Sequence, residues 1–274
     1  TVTESGYHYA GEHRLLDERD PEVQRDLSNT NDPVTAVGLL FRVAQLRTQR
    51  NLPLPTFLSC DNIPENGNVL RQLLLQYANL VDPTTERTIR NSCRFPNSMV
   101  DRITPKTTDV HRRHLADAYG VADEWPVVCE PFRQWVIEDS FSHGRPNWEH
   151  AGAIIVDDVR PFERMKIRLL NGTHSVLSYA AYLAGYTEVD TAMNNETVAR
   201  FVERYMGEIR PTVGHVEGID LTEYTQTLVS RFSNPAIRDQ VLRLAEDGSR
   251  KIPNAVLEPL EELHIQGKPT RFGA

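Results

Sequence analysis

The sequence predicts an α/β domain followed by an all-α domain. In its first half, short runs rich in Val, Ile and Trp alternate with segments whose apolar residues recur at helical spacing. This alternation is typical of a largely parallel sheet with helices between its strands. From Arg160 onward almost no period-2 alternation occurs, and helical spacing continues. The 274 residues are enough for two modest domains, which we place at 1–157 and 158–274.

The α/β region is predicted from its strand patterns and helix signals. Thr1–Thr3 resembles the end of a strand, and residues 11–33 are polar and irregular. Asp32-Pro33 predicts a helix start, because a capping residue is followed by proline at the first helical position. The other predicted elements are a strand over Thr56–Cys60, helices over Asn68–Val81 and near His111–Tyr119, and strands at Ser98–Ile103, Val127–Glu130 and Arg133–Asp139.

The all-α region is predicted from a long helix and four shorter ones. The long helix covers about 162–184, and the shorter ones lie near 196–206, 221–232, 235–246 and 253–263. Asn234-Pro235 and Ile252-Pro253 fit helix starts, whereas Gly185 and Gly248 fit helix ends.

Composition and charge exclude several classes of protein. Hydrophobic residues make up 39% and charged residues 25% of the chain, which rules out wholesale disorder. Thirty basic against 38 acidic residues give a net charge of -8, whereas nucleic-acid binding needs clustered basic residues. No apolar stretch approaches the roughly 18 residues of a membrane span. The widely spaced Cys60, Cys93 and Cys129 predict a reducing compartment, so we expect a cytoplasmic protein.

The strongest candidate for catalytic chemistry lies at the start of the long helix, in ERMKIRLLNGTH. At about 100° per residue, four polar residues share one face that spans less than half of the circumference; they are Glu163, Lys166, Asn171 and His174. Apolar residues occupy much of the rest, and a lysine desolvated there can act as a base. The alternative is structural: Glu163 and Lys166 form a surface pair, and the other two are satisfied core groups.

Two further segments carry polar residues where ligands bind. CDNIPENGNVLRQ (60–72) follows a predicted strand and precedes a helix, which is where open α/β sheets bind ligands. Asn62 can donate a hydrogen bond to a developing alkoxide, or it can serve as a turn or helix cap. Asn66-Gly67 indicates a turn. In FPNSMVDRITP (95–105), Asp101-Arg102 in an apolar setting indicates a buried charge that needs a partner.

The remaining polar patterns do not support metal or hydrolase chemistry. In EPFRQWVIEDSF (130–141) aromatic residues alternate with charges, which a half-buried strand explains. His111 and His114 have the spacing of metal ligands, but they lie in a polar helix without a carboxylate between them, and we interpret them as surface residues. The sequence contains no HExxH, GxSxG or GxxxxGK[ST] motif. We therefore expect no metal ion.

Taken together, these four segments resemble the polyol-specific long-chain dehydrogenases, the mannitol dehydrogenase family. VDRITP is similar to the family's signature, and CDN-x-x-x-NG, EPF-x-QWV-x-ED and K-x-R-x-LNG-x-H occur in the family's order. The likeness covers nearly the whole chain. It implies a Rossmann-like domain that binds a nicotinamide dinucleotide, a mostly helical domain that closes over it, and catalysis without a metal.

The resemblance also implies roles for individual residues. Lys166 would be the general base that takes the alcohol proton as hydride leaves for the nicotinamide. Asn62 and Asn171 would bind the oxygen on which negative charge develops, and His174 would orient the substrate hydroxyls. The other assignments follow from position: Val100 and Asp101 near the nicotinamide, Arg243 and Lys251 near the substrate, and Glu4 and Glu163 as a relay for the lysine's proton, or as groups that only stabilise its charge.

The chain departs from the family pattern at both ends. Relatives carry a glycine-rich dinucleotide fingerprint before a TVTESGY-like segment and further helices after a GKPTRFGA-like one. We therefore expect a fragment or part of a longer polypeptide. The choice between NAD and NADP depends on a residue near that fingerprint, and family habit favours NAD.

The predicted function is NAD-dependent interconversion of a polyol such as mannitol and a ketose such as fructose. One alternative is a fructuronate reductase, whose substrate carboxylate needs a cation that Arg243, Arg250 or Lys251 would supply. Another is a truncated, inactive protein that keeps the helical domain for binding or assembly. The resemblance implies a monomer with a sugar or polyol as its small-molecule partner, and without nucleic-acid or membrane partners.

Overall fold

The computed structural model describes residues 4–11, 13–268 and 270, and their side chains from residue 6 onward. The chain divides into two compact units, 1–100 with 134–160 and 101–133 with 161–274. The predicted fold class is confirmed, because the first unit combines helices with strands and the second is almost entirely helical. Among the described helices, none is both long and apolar enough to cross a membrane. The boundary at 157/158 stays a prediction.

The described residues of the first unit form two small sheets. β1 (Tyr9–Ala10) pairs antiparallel with β2 (Leu15–Leu16). The second sheet has the order β3-β4-β5, with β3 at Ser98–Asp101, β4 at Gln134–Glu138 and β5 at Ile154–Val156. β4 and β5 run parallel. Parallel strands bring their carboxyl ends to one edge of a sheet, and ligands of open α/β proteins bind at that edge.

Four helices build the core of the first unit. They are α1 (Pro21–Ser28), α2 (Ala36–Gln49), α3 (Asn66–Val81) and α4 (Pro83–Ser92). Phe41 of α2 and Tyr77 of α3 are fully buried and meet edge to face, with ring centres 5.5 Å apart. Leu73, Leu74 and Ile89 are also fully buried. Each such side chain contributes about 1.5–3 kcal/mol of hydrophobic stabilisation.

The start of α3 depends on close backbone packing. A Cβ on Gly67 would lie 2.4 Å from the carbonyl oxygen of Phe95 and 2.5 Å from that of Pro96, so only glycine fits. The side-chain amide of the buried Asn66 donates to the carbonyl oxygen of Ser98 and accepts from its N–H, each at 2.9 Å. The turn predicted at Asn66-Gly67 is therefore wrong, since both residues belong to the first turn of a helix.

Two helix starts differ from the prediction. Within the segment expected to be irregular, α1 begins at Pro21 because Asp20 caps it by accepting from the N–H groups of the next turn. The start predicted at Asp32-Pro33 is wrong by three residues. Thr35 caps α2, and its Oγ1 accepts from the N–H of Gly38 at 3.0 Å. Aspartate followed by proline also begins α1 and α4, at Asp20-Pro21 and Asp82-Pro83, but it begins no helix at Asp32-Pro33.

Two predicted strands are wrong. In Thr56–Cys60 a single parallel bridge joins Thr56 to Arg94, and the described backbone forms no ladder beyond it. Val127–Glu130 forms no strand. The N–H of Glu130 donates to the carbonyl oxygen of Ile103 at 3.1 Å. The strand end predicted at Thr1–Thr3 lies outside the described residues.

Nine helices account for most of the described part of the second unit. They are α5 (Asp109–Tyr119), α6 (Arg160–Met165), α7 (Gly172–Leu183), α8 (Val189–Met193), α9 (Glu196–Ile209), α10 (Leu221–Phe232), α11 (Val241–Ala245), α12 (Gly248–Ile252) and α13 (Glu258–Ile265). Their core includes the buried Phe162, Met165, Leu177, Tyr205 and Leu228. The helix start predicted at Asn234-Pro235 and the helix end predicted at Gly248 are wrong, since α11 begins at Val241 and α12 begins at Gly248.

The long predicted helix contains a change of helical type. α6, a π-helical segment over Lys166–Asn171 and α7 follow one another without a break. A second π-helical segment, Pro253–Leu257, joins α12 to α13. The turns of a π-helix are wider than those of an α-helix. The uniform spacing of about 100° per residue is therefore wrong between Lys166 and Asn171.

Candidate active site

Lys166 is the first residue of the π-helical segment and is buried, with 7% of its surface exposed. Burial is the main cause that lowers the pKa of this lysine, because a charged ammonium loses its hydration there. The charge of Asp101 raises the pKa, that of Arg231 lowers it, and that of Glu163 raises it. Glu163, one turn earlier in α6, is also buried. This buried environment is the one that the sequence predicts for Lys166.

The π-helical segment is held in place by Tyr205 of α9. Its hydroxyl lies 3.3 Å from the carbonyl oxygen of Arg168 and 3.1 Å from that of Ala255, and it donates its proton between them. A Cβ on Gly172 would lie 2.2 Å from the same hydroxyl oxygen. Tyr205 therefore joins the two π-helical segments, and Gly172 provides the space for it. Such segments are frequent at functional sites.

A buried ionic cluster supplies two of the charges that act on Lys166. Arg231 of α10 donates to both oxygens of Asp101 at 2.9 and 2.8 Å. It also donates to both oxygens of Glu130, at 2.9 and 2.7 Å. The ring centre of Phe132 lies 4.0 Å from the guanidinium carbon. Asp101 thus has the partner that its apolar setting predicted, and buried charges are tolerated only when paired in this way.

Glu130 is also bound to the segment that follows Asp101. Ile103 donates its N–H to Oε1 of Glu130 at 2.6 Å, and the N–H of Glu130 donates to the carbonyl oxygen of Ile103. Arg102 donates through Nε to the carbonyl oxygen of Glu130 at 2.9 Å. The VDRITP segment and the start of EPF are therefore joined by both side-chain and backbone hydrogen bonds.

His174 lies in α7 with its ring centre 5.1 Å from that of Phe232. The pKa of His174 is lowered to about 3, mainly by burial and also by the positive charges of Arg243, Arg231, Lys251 and Lys166. At neutral pH the imidazole is thus uncharged, with one nitrogen as donor and the other as acceptor. Its Nε2 is buried without a hydrogen-bond partner among the described residues. A neutral imidazole of this kind can orient a hydroxyl group.

The two predicted substrate cations act on His174 but already have partners. Arg243 pairs with Asp239 one turn earlier, donating through Nε to Oδ1 at 2.6 Å. Lys251 donates from Nζ to the carbonyl oxygen of Glu246 at 2.7 Å. Asn171, at the end of the π-helical segment, is partly exposed. The second unit therefore groups Lys166, Glu163 and Asp101, and it groups His174 with both cations.

The other predicted residues belong to the first unit. Asn62 is exposed in the turn before α3, and its N–H donates to Oδ1 of Asp61 at 2.8 Å. Val100 is partly buried near the carboxyl end of β3. The side chain of Glu4 lies outside the described residues.

Sequence reasoning missed Arg231 and did not assign Glu130 a role. Arg231 stands on the apolar face of α10 with Tyr224 and Leu228, at helical spacing and buried. A charged residue at such a position is a signal of pairing. The partner itself was not recognisable, because 130 positions separate Arg231 from Asp101 in the chain.

Comparison with known proteins gives the chain its class. The family model of the mannitol dehydrogenase Rossmann domain matches residues 1–150, and that of the mannitol dehydrogenase C-terminal domain matches residues 158–271. The chain therefore belongs to the mannitol dehydrogenase family, as its four motifs indicated.

Individual relatives agree with this assignment. The chain is 44% identical over 264 residues to a mannitol dehydrogenase of Saccharomyces cerevisiae, a match that covers 96% of this chain and 53% of the relative. It is 43% identical over 267 residues to the D-mannonate oxidoreductase of Escherichia coli, covering 97% and 55%. The mannitol 2-dehydrogenase of Pseudomonas fluorescens, solved as a ternary complex with NAD and D-mannitol, is similar with a TM-score of 0.85 at 44% identity, covering 98% and 55%. The chain spans about half the length of the curated relatives it matches.

Proposed function

We propose that the protein is an NAD-dependent secondary-alcohol oxidoreductase that interconverts a polyol and a ketose. The observation that carries this proposal is the buried Lys166, whose pKa is lowered by its surroundings. A neutral amine in that position accepts the proton of an alcohol, and returns it in the reverse reaction. Relatives named for mannitol and mannonate oxidation support the reaction class.

The proton then passes from Lys166 toward solvent through carboxylates. Glu163 is buried one turn before the lysine, and its charge stabilises the ammonium that forms after proton transfer. We assign Glu163 and Glu4 to this relay. The alternative role, in which they only stabilise the lysine's charge, predicts that their amide variants keep normal proton release.

The nicotinamide end of NAD is assigned to Val100 and Asp101. Both stand at the carboxyl end of β3, the edge at which open α/β sheets bind dinucleotides. The partly buried Val100 gives this edge an apolar surface suited to a nicotinamide ring. NAD, when bound, supplies the acceptor for hydride.

We assign two asparagines to stabilise the negative charge that develops on the substrate oxygen. Side-chain amides of Asn62 and Asn171 donate hydrogen bonds to that oxygen, which stabilise the transition state more than the ground state. His174 is neutral and orients a neighbouring hydroxyl. These roles follow from the position of each residue in the family's motifs.

The partners of Arg243 favour a neutral substrate over a uronate. A substrate carboxylate would have to displace Asp239 from the guanidinium or bind beside its negative charge. A hydroxyl group accepts or donates there without either penalty. We therefore propose a polyol such as mannitol and a ketose such as fructose, with Arg243 and Lys251 as hydroxyl contacts. We also propose that the protein is cytoplasmic, in keeping with its three free cysteines, and that it acts as a monomer, as the resemblance implies.

The decisive experiment compares fructose with fructuronate as oxidants of NADH in the intact protein. We expect faster turnover of fructose, and we expect Lys166→Met to lower kcat by about a hundredfold to ten-thousandfold. Lys106→Met is the matched control, because Lys106 is an exposed lysine and its loss should leave kcat unchanged.

Three outcomes would change the proposal. Normal kcat in Lys166→Met would remove the base assignment. Preference for fructuronate would make the protein a hexuronate reductase and Arg243 a carboxylate ligand. Failure of the intact protein to quench its tryptophan fluorescence with NADH would favour the inactive alternative.

A further inference from the structure

A buried cluster beside Lys166 holds one more negative charge than positive. The side chains of Asp101, Glu130 and Arg231 are only 2%, 2% and 5% exposed. Four hydrogen bonds connect the single guanidinium to both carboxylates. One cation with two anions gives the cluster a formal charge of -1. A free carboxylate in such a setting would bind the ammonium of Lys166 and retain its proton.

The cluster holds Arg231 in one orientation. Phe132 lies against one face of the guanidinium, with 4.0 Å between the ring centre and the guanidinium carbon. Glu130 occupies one edge of the guanidinium and is itself fixed by the N–H of Ile103 at 2.6 Å. The remaining N–H groups are thereby directed at the two oxygens of Asp101. A planar guanidinium engages both oxygens of a carboxylate only when it is oriented in this way.

We infer that Arg231 and Glu130 are positioning residues for Lys166: Glu130 orients Arg231, and Arg231 engages Asp101 so that Asp101 does not hold the amine as a charged pair. The functional meaning of this inference rests on the proposed role of Lys166 as base. Arginine stays protonated at all working pH values, whereas a buried lysine does not. Lys166 is thus the cation of this group that changes charge. Burial is the main cause that lowers the pH at which it does so, and the charges of the cluster adjust that pH.

The charges that face Lys166 come from several elements. They include Asp101 at the end of β3, Arg231 on α10 and Glu163 on α6. His174 on α7 is neutral at working pH, since its pKa lies near 3. Removal of Arg231 leaves two uncompensated carboxylates that favour the ammonium. Glutamine at position 130 keeps one oxygen that accepts from Arg231, so the guanidinium stays oriented while the charge is lost. The guanidinium is then less compensated, which favours the neutral amine.

The titration of Lys166 tests this inference without substrate or cofactor. The sequence contains four lysines, Lys106, Lys166, Lys251 and Lys268. NMR of the 274-residue chain labelled with carbon-13 at the lysine ε position follows each of them, and Lys166→Met assigns the Lys166 signal by its loss. We expect Glu130→Gln to lower the titration midpoint of Lys166 by about one pH unit and Arg231→Gln to raise it by about as much.

Two further variants serve as controls. Glu262→Gln removes a carboxylate from a different arginine cluster and should leave the Lys166 midpoint unchanged. The double variant Glu130→Gln with Arg231→Gln keeps the net charge of the cluster and should give a midpoint between those of the single variants. If Arg231→Gln does not fold, the effect of Arg231 is measured by comparing the double variant with Glu130→Gln, and we expect the double variant to have the higher Lys166 midpoint.

A purely structural cluster would lower the melting temperature of these variants without moving the midpoint. An unchanged midpoint in folded Glu130→Gln would overturn the inference. If the midpoints move as expected but Lys166→Met retains normal turnover of NADH, the proposed function fails while the charge arrangement stands.

Discussion

In the described part of the second unit, Arg168 and Arg231 each bind two carboxylates, and they differ in what surrounds the carboxylates. Arg231 binds Asp101 and Glu130, whose side chains are both 2% exposed. Arg168 binds Glu258 and Glu262, which are 57% and 39% exposed. Both arginine side chains are equally buried, at 5%. The contrast lies in the access of the anions to water.

Because of this difference, we expect the Arg168 cluster to have a structural role and the Arg231 cluster to influence the charge of Lys166. Arg168 also donates to the carbonyl oxygen of Thr212 at 2.6 Å, so it connects the π-helical segment to α13 and to the turn that follows α9. Water can stabilise its carboxylates if the arginine is lost. The anions of Arg231 have no such access. The charges of Asp101 and of Arg231 itself act on Lys166. The same arrangement of one arginine and two carboxylates therefore holds helices together in the Arg168 cluster, whereas in the Arg231 cluster we infer that it acts on the charge of Lys166.

The largest expected effect comes from removing each arginine in turn. Arg231→Met leaves two enclosed carboxylates without a partner and should lower the free energy of unfolding by about 3–5 kcal/mol. Arg168→Met leaves carboxylates that reach solvent and should cost about 1–3 kcal/mol. Urea denaturation followed by circular dichroism measures both, with Arg19→Met at an 89% exposed side chain as control. Equal losses for Arg168→Met and Arg231→Met would show that the access of the carboxylates to water does not distinguish the two clusters.

A smaller effect is expected at the hydroxyl that supports the Arg168 backbone. Tyr205→Phe removes the hydrogen bonds to the carbonyl oxygens of Arg168 and Ala255 but keeps the buried ring. The loss should be about 1 kcal/mol, the net contribution of a typical buried hydrogen bond, as measured by the urea midpoint. Tyr186→Phe, in the loop after α7, is the control with the same atomic change. A stability equal to that of the unmodified protein would show that the hydroxyl does not hold the π-helical segments.

Most residues of the candidate site lie in the four motif segments and could be predicted from the sequence. The pairing of residues far apart in the chain could not. The helix of Lys166 was predictable because its apolar residues recur at helical spacing. Its π-helical turn was not, since it depends on Tyr205 and Ala255, which pack against Gly172 from elsewhere in the chain.

Local signals also failed where tertiary contacts decided the outcome. Asn66-Gly67 has the composition of a turn, but Asn66 bonds to Ser98 and Gly67 packs on the backbone of Phe95. The need of Asp101 for a partner was predictable from its apolar setting. The identity of that partner, Arg231, was not, because no local pattern connects residues so distant in the chain.

The smallest expected effect is a pH dependence in the Arg168 cluster. The hydrogen bond from Arg168 lowers the pKa of Glu262 below its ordinary value. A carboxyl group with a lowered folded-state pKa stabilises the fold above its unfolded pKa, and this contribution is lost as the pH falls through the folded pKa. Because 39% of the Glu262 side chain reaches solvent, screening keeps the contribution below about 1 kcal/mol.

Melting temperatures of the unmodified protein and Glu262→Gln, measured from pH 7 to pH 2, test this dependence. We expect the variant to melt lower at pH 7 and the two curves to converge at the acidic end, where Glu262 is protonated and resembles glutamine. Added salt should narrow the gap at pH 7, because partly exposed charges are screened. Parallel curves across the whole range would show that the charge of Glu262 adds nothing to stability, and Arg168 would then act through Glu258 and through its hydrogen bond to Thr212.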